Sequence, residues 1–205
     1  LLDELVAEGR VGDACWLLDQ LGPTDEVLVL DALAADALVF AGTLRVRGEA
    51  EVGGLLRTGR SLVVGGGLRA DSALQVGEDL RVAGSLWGGG AVRVDGDARV
   101  GGSLQAGGAL DLRGHLRVGW GVFCGDRFAA AGPLRIGQDL EVAGELRVRA
   151  GLRLGGALEA GGAVDIGQGL EAGGAVRCGG ALSAGSGVRA GGEVHAGAAI
   201  RVGES

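Results

Sequence analysis

A six-residue repeat runs from Gly42 to Gly203 without an insertion or a deletion, which gives twenty-seven consecutive units. The third residue of each unit is Leu, Val, Ile, Phe or Ala, and the fifth is usually Val, Ile, Leu or Ala. Side chains two residues apart in an extended chain point to the same side. Each unit is therefore predicted to be a short strand with two inward apolar residues and a Gly-rich bend, and such units stack into a solenoid.

A second period of eighteen residues indicates that three units make one turn. The outward residue between the two inward ones tests this, because residues eighteen apart should then stack along one face. From position 45 this series contains seven arginines in nine places, interrupted only by Val63 and Glu171. We call these residues the arginine ladder: Arg45, Arg81, Arg99, Arg117, Arg135, Arg153 and Arg189.

These patterns predict an all-β fold, a three-faced β-solenoid of hexapeptide units with eighteen residues per coil, about nine coils and a small N-terminal helical cap. The handedness stays open. We expect 1–24 to form the cap, 25–41 to lead into the first coil, and 42–205 to form the solenoid. The 45 glycines are expected to supply positive φ or close backbone approach at the corners.

The first 24 residues carry apolar side chains at helical spacing, in two groups. We predict a hairpin of two short helices, with Gly22 and Pro23 ending the second one. Its apolar stripe is expected to close the first coil. The residues of the two groups are Leu1, Leu2, Leu5 and Val6, then Val11, Cys15, Trp16, Leu18 and Leu21.

The carboxyl end has no matching cap in the sequence. We therefore expect the last coil either to continue into further residues or to meet another molecule, since an uncovered coil offers unpaired backbone groups and a bare apolar layer. Val194, Ile200 and Val202 are the candidate assembly end.

Charge and composition argue against some classes of function. The net charge is −7, but 42–205 holds 18 Arg against 17 Asp plus Glu, while 1–41 holds one Arg against nine acids. A nearly neutral solenoid argues against strong nucleic-acid binding. No apolar run is long enough for a membrane span and no signal peptide is evident, so we expect a cytoplasmic protein.

No catalytic or cofactor-binding motif is present, so we expect no catalytic residue, no cofactor, no metal and no enzyme activity. His115 and His195, the only two histidines, lie on different faces and cannot share a metal. Cys124 and Cys178 share an inward series but lie three coils apart, too far for a disulfide.

Two surface features are candidate partner-binding sites. The arginine ladder has the ordinary interpretation of a solvated face, while the alternative is an anionic partner, for which an acidic protein segment such as 1–41 of another copy fits best. Trp87 and Phe123 are predicted to share one outward series, with Trp120 at a nearby corner. Exposed aromatic residues often mark contacts, although isolated ones are also common on strands.

The stretches GDARVGGSLQAGGALDLRG and GQDLEVAGELRVRAGLRLGG resemble the bactofilins, which are polymer-forming bacterial cytoskeletal proteins built on a three-faced β-helix. The likeness covers about four-fifths of the chain and is one of rhythm. It implies end-to-end assembly and a right-handed coil, but the helical front end departs from the family pattern. The hexapeptide acyltransferases are the rival family; here large residues stand where those enzymes have small ones, and no loop leaves the coil.

We therefore predict a non-enzymatic structural scaffold, a self-assembling bactofilin-like module. The alternative is a monomeric protein-interaction module, within a longer chain or a toxin-neutralising system, that binds an acidic partner through the arginine ladder. An acyltransferase relative is the least favoured hypothesis. The expected partners are thus other copies of the chain or another protein.

Overall fold

The protein is a three-sided parallel β-solenoid. The computed structural model describes residues 8–203, and within that range the chain forms one helix, α1 (Val11–Leu21), followed by thirty strands of three or four residues. The strands make three parallel sheets of ten strands each. The predicted fold is confirmed, with ten turns instead of nine.

Each sheet takes every third strand. Sheet A contains β1 (Val27–Leu30), β4 (Thr43–Val46), β7 (Leu62–Val64), β10 (Leu80–Val82), β13 (Ala98–Val100), β16 (Leu116–Val118), β19 (Leu134–Ile136), β22 (Leu152–Leu154), β25 (Leu170–Ala172) and β28 (Val188–Ala190). Sheet B contains β2 (Leu33–Ala35), β5 (Ala50–Val52), β8 (Leu68–Ala70), β11 (Leu86–Gly88), β14 (Leu104–Ala106), β17 (Val122–Cys124), β20 (Leu140–Val142), β23 (Leu158–Ala160), β26 (Val176–Cys178) and β29 (Val194–Ala196). Sheet C contains β3 (Leu38–Phe40), β6 (Leu56–Thr58), β9 (Leu74–Val76), β12 (Val92–Val94), β15 (Leu110–Leu112), β18 (Phe128–Ala130), β21 (Leu146–Val148), β24 (Val164–Ile166), β27 (Leu182–Ala184) and β30 (Ile200–Val202).

The tenth turn comes from the segment that we predicted to be only a lead-in. Strands β1 to β3 form a complete first turn, but their pairing is shorter than the later period. Val27 pairs with Thr43, sixteen residues on, and Leu33 pairs with Ala50, seventeen residues on. Leu38 and Leu56 are the first pair at the full eighteen. These two shorter spacings break the hexapeptide register, so the repeat pattern does not reveal this turn.

The core is a stack of aliphatic layers along the solenoid axis. The inward residues of β4 to β27 are buried, while the residue between them is half-buried or exposed. Thr58 is the one buried polar side chain in the described range, and its hydroxyl donates a hydrogen bond to the Arg60 carbonyl at 2.9 Å. Close packing of these layers makes each sheet a rigid platform for its outward side chains.

The corner glycines of the described solenoid allow close approach between turns, which is one of the two roles expected of them, and none of them has a positive φ. Gly9 and Gly22 have the only positive φ angles in the described chain, and both lie outside the solenoid. At Gly155, an added Cβ would stand 2.0 Å from the carbonyl oxygen of Gly137 in the preceding turn. Glycine is therefore favoured at such corners because adjacent turns touch through their backbones.

The helix α1 confirms part of the predicted cap but packs in a different place. Gly22, with φ of 75°, ends it, and the Gly22 N–H donates to the Leu18 carbonyl. Buried Ala14 and Leu18 contact Val39, which points outward from β3. The helix thus covers the outer face of sheet C and does not close the first turn.

Two further parts of the cap prediction have different outcomes. Trp16 and Leu21 are exposed, so the predicted apolar stripe does not include them. The first predicted helix, over Leu1 to Val6, falls on 1–7, outside the described residues.

Arg57 links α1 to the solenoid. Its guanidinium forms an ion pair with Asp19 and donates a hydrogen bond to the Cys15 carbonyl at 3.3 Å. Burial by itself lowers the pKa of Arg57, but the bonds to Asp19 and Cys15 outweigh it and raise that pKa. This polar link adds to the small apolar contact at Val39.

Candidate partner-binding face

The arginine ladder exists as predicted on the outer face of sheet A. Register pairs join Arg81 to Arg99, Arg99 to Arg117, Arg117 to Arg135, and Arg135 to Arg153, so five arginines follow one another in consecutive turns. Neighbouring strands lie about 4.8 Å apart. Val63 and Glu171 interrupt the series on either side.

Most of the ladder lacks the carboxylate partners that the other arginines have. Within the described residues, only Arg81 and Arg153 of the seven have a carboxylate oxygen within 4 Å. Of the other twelve arginines nine are paired, including Arg47 and Arg147. The members of the ladder without a carboxylate partner among residues 8–203 are Arg45, Arg99, Arg117, Arg135 and Arg189.

The carboxylates close to the ladder accept hydrogen bonds from backbone amides. One oxygen of Asp79 accepts a hydrogen bond from the Asp97 amide at 3.0 Å, and Asp97 accepts one from the His115 amide at 2.8 Å. Asp79 also lies 3.9 Å from Arg81, but Asp97 forms no ion pair with Arg99 within the part of the chain described.

Arg99, Arg117 and Arg135 therefore form an uncompensated set, which we call the central trio. All three side chains are exposed. Two unit charges about 5 Å apart in water repel by roughly 0.8 kcal/mol. An anion bound there would relieve this repulsion and accept several guanidinium hydrogen bonds, so this surface favours negatively charged groups.

Shallow grooves flank the central trio on both edges of sheet A. One, of about 520 Å³, includes the trio together with Asp79, Asp97 and His115. A second, of about 450 Å³, continues past Pro133 along Gly151, Gly169 and Gly187. A third runs along the opposite edge, beside Gly119, Gly137 and Gly155. The ladder arginines therefore lie between grooves on the two edges of sheet A, where glycines leave backbone atoms exposed.

The aromatic residues do not form one continuous patch. Trp87 and Phe123 share an outward series of sheet B, as predicted, but Gln105 lies between them. The guanidinium carbon of Arg69 stands 4.2 Å from the centre of the Trp87 ring, which gives that ring a cation–π partner. Trp120 is well exposed at the corner that follows β16, next to the edge of the arginine ladder. Of the three, Trp120 is the best placed to support a partner on sheet A.

The last described turn has an apolar, exposed face. Val194, Ile200 and Val202 are 38%, 49% and 46% exposed, whereas the equivalent inward residues of earlier turns are buried. Strands β28 to β30 pair on one side only within the described range. This is the surface that we predicted to be an assembly end.

The acidic N-terminal segment is largely occupied within the same molecule. Asp13 pairs with Arg10, and three other carboxylates of the segment pair with arginines of early turns: Asp19 with Arg57, Asp25 with Arg60, and Asp31 with Arg47. A second copy therefore offers few free carboxylates from 8–41 to the central trio. This weakens our hypothesis that 1–41 of another copy is the acidic partner.

Two of the three cysteines lie in the core. Cys124 and Cys178 are buried and unbridged, and burial raises the pKa of each thiol. In the described range no three His, Cys, Asp or Glu side chains are grouped to hold a metal, and α1, with 11 residues, is too short to cross a membrane.

The chain was also compared with known proteins. No protein-family model, no curated protein and no solved structure matches it.

Sequence reasoning missed the hydrogen bonds between side chains and corner amides. Among residues 8–203, the amide of the residue just before each strand has no backbone carbonyl as its acceptor. In several places an Asp, Glu or Ser side chain of the preceding turn accepts this amide: Glu49 accepts that of Gly67, and Asp139 accepts that of Ala157. The recurrence of Asp79 and Asp97 eighteen residues apart was the available signal. Without knowing which amides lack acceptors, that recurrence indicates only an acid near an arginine.

Proposed function

We propose that the protein is a rigid, non-catalytic scaffold whose sheet A binds an acidic segment of another protein. One observation carries this proposal: five of the seven ladder arginines have no carboxylate within 4 Å in the described chain, while nine of the twelve arginines elsewhere have one. Ion pairing is the usual state of arginine on this surface. The ladder is the exception, and its stacked turns keep the charges in a fixed line.

An extended acidic polypeptide suits this face better than a compact anion. The ladder runs through five consecutive turns, so its guanidiniums span about 19 Å along the axis at the usual strand spacing. An extended peptide advances about 3.3 Å per residue and presents alternate side chains to one side. Several of its carboxylates therefore meet different arginines at the same time.

The test is a titration with a fluorescein-labelled decaglutamate peptide, read by fluorescence anisotropy at low salt. Changing the central trio to glutamine should weaken binding about tenfold or more, since three exposed charge contacts contribute roughly 0.5–1 kcal/mol each. Binding should also weaken as salt is added.

Three exposed arginines on the other two sheets provide a matched control. Arg147 and Arg201 lie on sheet C and Arg177 lies on sheet B, and changing them to glutamine alters the net charge by the same amount. Equal losses in the two triple variants would show that only the overall charge matters, and the proposal would be wrong.

End-to-end self-assembly is a second candidate function. It is favoured by the exposed apolar face at Val194, Ile200 and Val202, because an open strand edge over bare apolar side chains accepts further strands. This second proposal includes membership in the bactofilins and a cytoplasmic location. The sequence resemblance to that family supports it.

Negative-stain electron microscopy across a concentration series tests the second candidate. Filaments that grow with concentration, and that are lost on Ile200→Glu, would support it. Arg201→Glu is the matched control, since it adds a carboxylate to the same strand at the outward position. Short discrete rods at every concentration would rule out self-assembly by this protein.

A further inference from the structure

The last corner residue before the strands of sheet A differs from turn to turn along the solenoid. The series runs Thr43, Ser61, Asp79, Asp97, His115, Pro133, Gly151, Gly169 and Gly187. In the middle turns the chain fills this position with carboxylates. In the later turns glycine leaves it open.

Asp79 shows what a carboxylate does at this position. Its Oδ1 accepts the amide N–H of Asp97 in the next turn at 3.0 Å, and its Oδ2 lies 3.9 Å from a guanidinium nitrogen of Arg81 in its own turn. One carboxylate therefore meets a corner amide and a ladder arginine together. Asp97 repeats the contact with the amide, at His115.

Gly151 occupies the same position four turns after Asp79, without a side chain. The corresponding amide belongs to Gly169, and among residues 8–203 no backbone or side-chain oxygen accepts it. The corresponding ladder residue is Arg153, and Arg135 of the central trio lines the same groove of about 450 Å³. One turn before Gly151, the same position is occupied by Pro133, which has no amide N–H and therefore needs no acceptor.

The position at Gly151 has space for an additional side-chain atom. An added Cβ on Gly151 would have no atom nearer than 3.4 Å, with the side-chain oxygen of Gln168 at 3.7 Å. Arg153 donates from Nε to Glu171 at 2.7 Å. Its two terminal nitrogens stay available, because a guanidinium carries five N–H donors.

From these contacts we propose that Gly151 marks a carboxylate-binding notch, in which an Asp or Glu side chain of the acidic partner accepts the Gly169 amide and meets Arg153 and Arg135. The bound carboxylate takes the place that Asp79 fills in its own turn. This inference rests on the proposed function and specifies it: the notch anchors one acidic residue of the partner beside the central trio.

The first test fills the notch from within. Gly151→Asp places a carboxylate where Asp79 has one, and Gly151→Asn places a neutral oxygen there. Both should weaken decaglutamate binding at least fivefold. Ala157→Asp, at the corner before sheet B, adds the same charge away from the ladder and should change binding less than twofold.

The second test observes the notch in the unmodified protein, so it does not depend on the folding of a variant. In ¹⁵N-labelled protein, titration with decaglutamate should shift the Gly169 amide resonance. The Ala175 amide, which also has no acceptor in the described chain but lies before sheet B, should not move.

The outcomes separate this inference from the proposed function. If the central-trio variant loses binding while both Gly151 variants keep it and the Gly169 resonance stays in place, the notch is refuted and the binding face stands. If the central-trio variant also binds normally, both proposals fail. If inorganic phosphate or a DNA oligonucleotide shifts Gly169 and decaglutamate does not, the assignment to an acidic polypeptide is overturned.

Discussion

Gly155 and Gly151 lie four residues apart in one turn, and replacing each with alanine should change the free energy of unfolding in opposite directions. A Cβ on Gly155 would stand 2.0 Å from the Gly137 carbonyl oxygen. The backbone at Gly137 or at residue 155 must therefore move by about 1 Å. A Cβ on Gly151 meets nothing closer than 3.4 Å. Neither glycine has a positive φ, so the two sites differ in space and not in permitted backbone conformation.

The expected magnitudes follow from these distances. Overpacking against backbone costs about 1–3 kcal/mol, which is the expected destabilisation in Gly155→Ala. Alanine already occupies this corner position at Ala83, four turns earlier, so the necessary adjustment is possible and the variant should fold. Gly151→Ala should stabilise the protein by about 0.4–1 kcal/mol, because alanine reduces the conformational entropy of the unfolded chain.

Urea unfolding followed by circular dichroism measures both changes, with the midpoints compared at a common slope. The two variants should differ by about 1.4–4 kcal/mol. Equal effects in the two variants would refute the argument that contact between turns favours glycine at Gly155.

Three further predictions concern the thiols, the core and the helix. In native protein, a thiol-specific disulfide reagent should react with Cys15 alone, because the other two thiols are buried with raised pKa values; reaction of all three without urea would contradict this. Leu116→Ala should cost about 2–5 kcal/mol in urea unfolding, whereas Ile200→Ala, at a site 49% exposed, should cost less than about 1 kcal/mol; similar losses would show that the last turn is covered. Arg57→Ala removes the ion pair with Asp19 and should speed hydrogen exchange in the helix α1, while unchanged exchange would mean that apolar contacts alone hold the helix.

The sequence predicted the solenoid and the arginine ladder because both depend on spacing alone. Once the eighteen-residue period is recognised, Arg99, Arg117 and Arg135 must stack in adjacent turns. The first turn was missed because its pairs are sixteen and seventeen residues apart, as between Val27 and Thr43. Short local deletions hide a strand from a periodic pattern without preventing its hydrogen bonds.

Features that depend on tertiary contacts could not be predicted in this way. The position of α1 is decided by Val39, an apolar residue on the outer face of β3, and by Arg57 beside it. Helical spacing predicted the helix but not the surface it covers. Likewise, Asp97 accepts a backbone amide and forms no ion pair with Arg99 among the described residues, whereas Asp79 accepts an amide and also lies 3.9 Å from Arg81. Sequence alone cannot tell which of these contacts a carboxylate makes.

Paramagnetic relaxation enhancement with a spin-labelled decaglutamate peptide tests most directly where an acidic partner binds. If sheet A is the binding face, the amide signals of Arg99, Arg117 and Arg135 should broaden, and those of Arg147 on sheet C and Glu159 on sheet B should not. Broadening spread evenly over the three sheets, or confined to the last turn around Ile200, would contradict the claim that the arginine ladder binds the acidic partner.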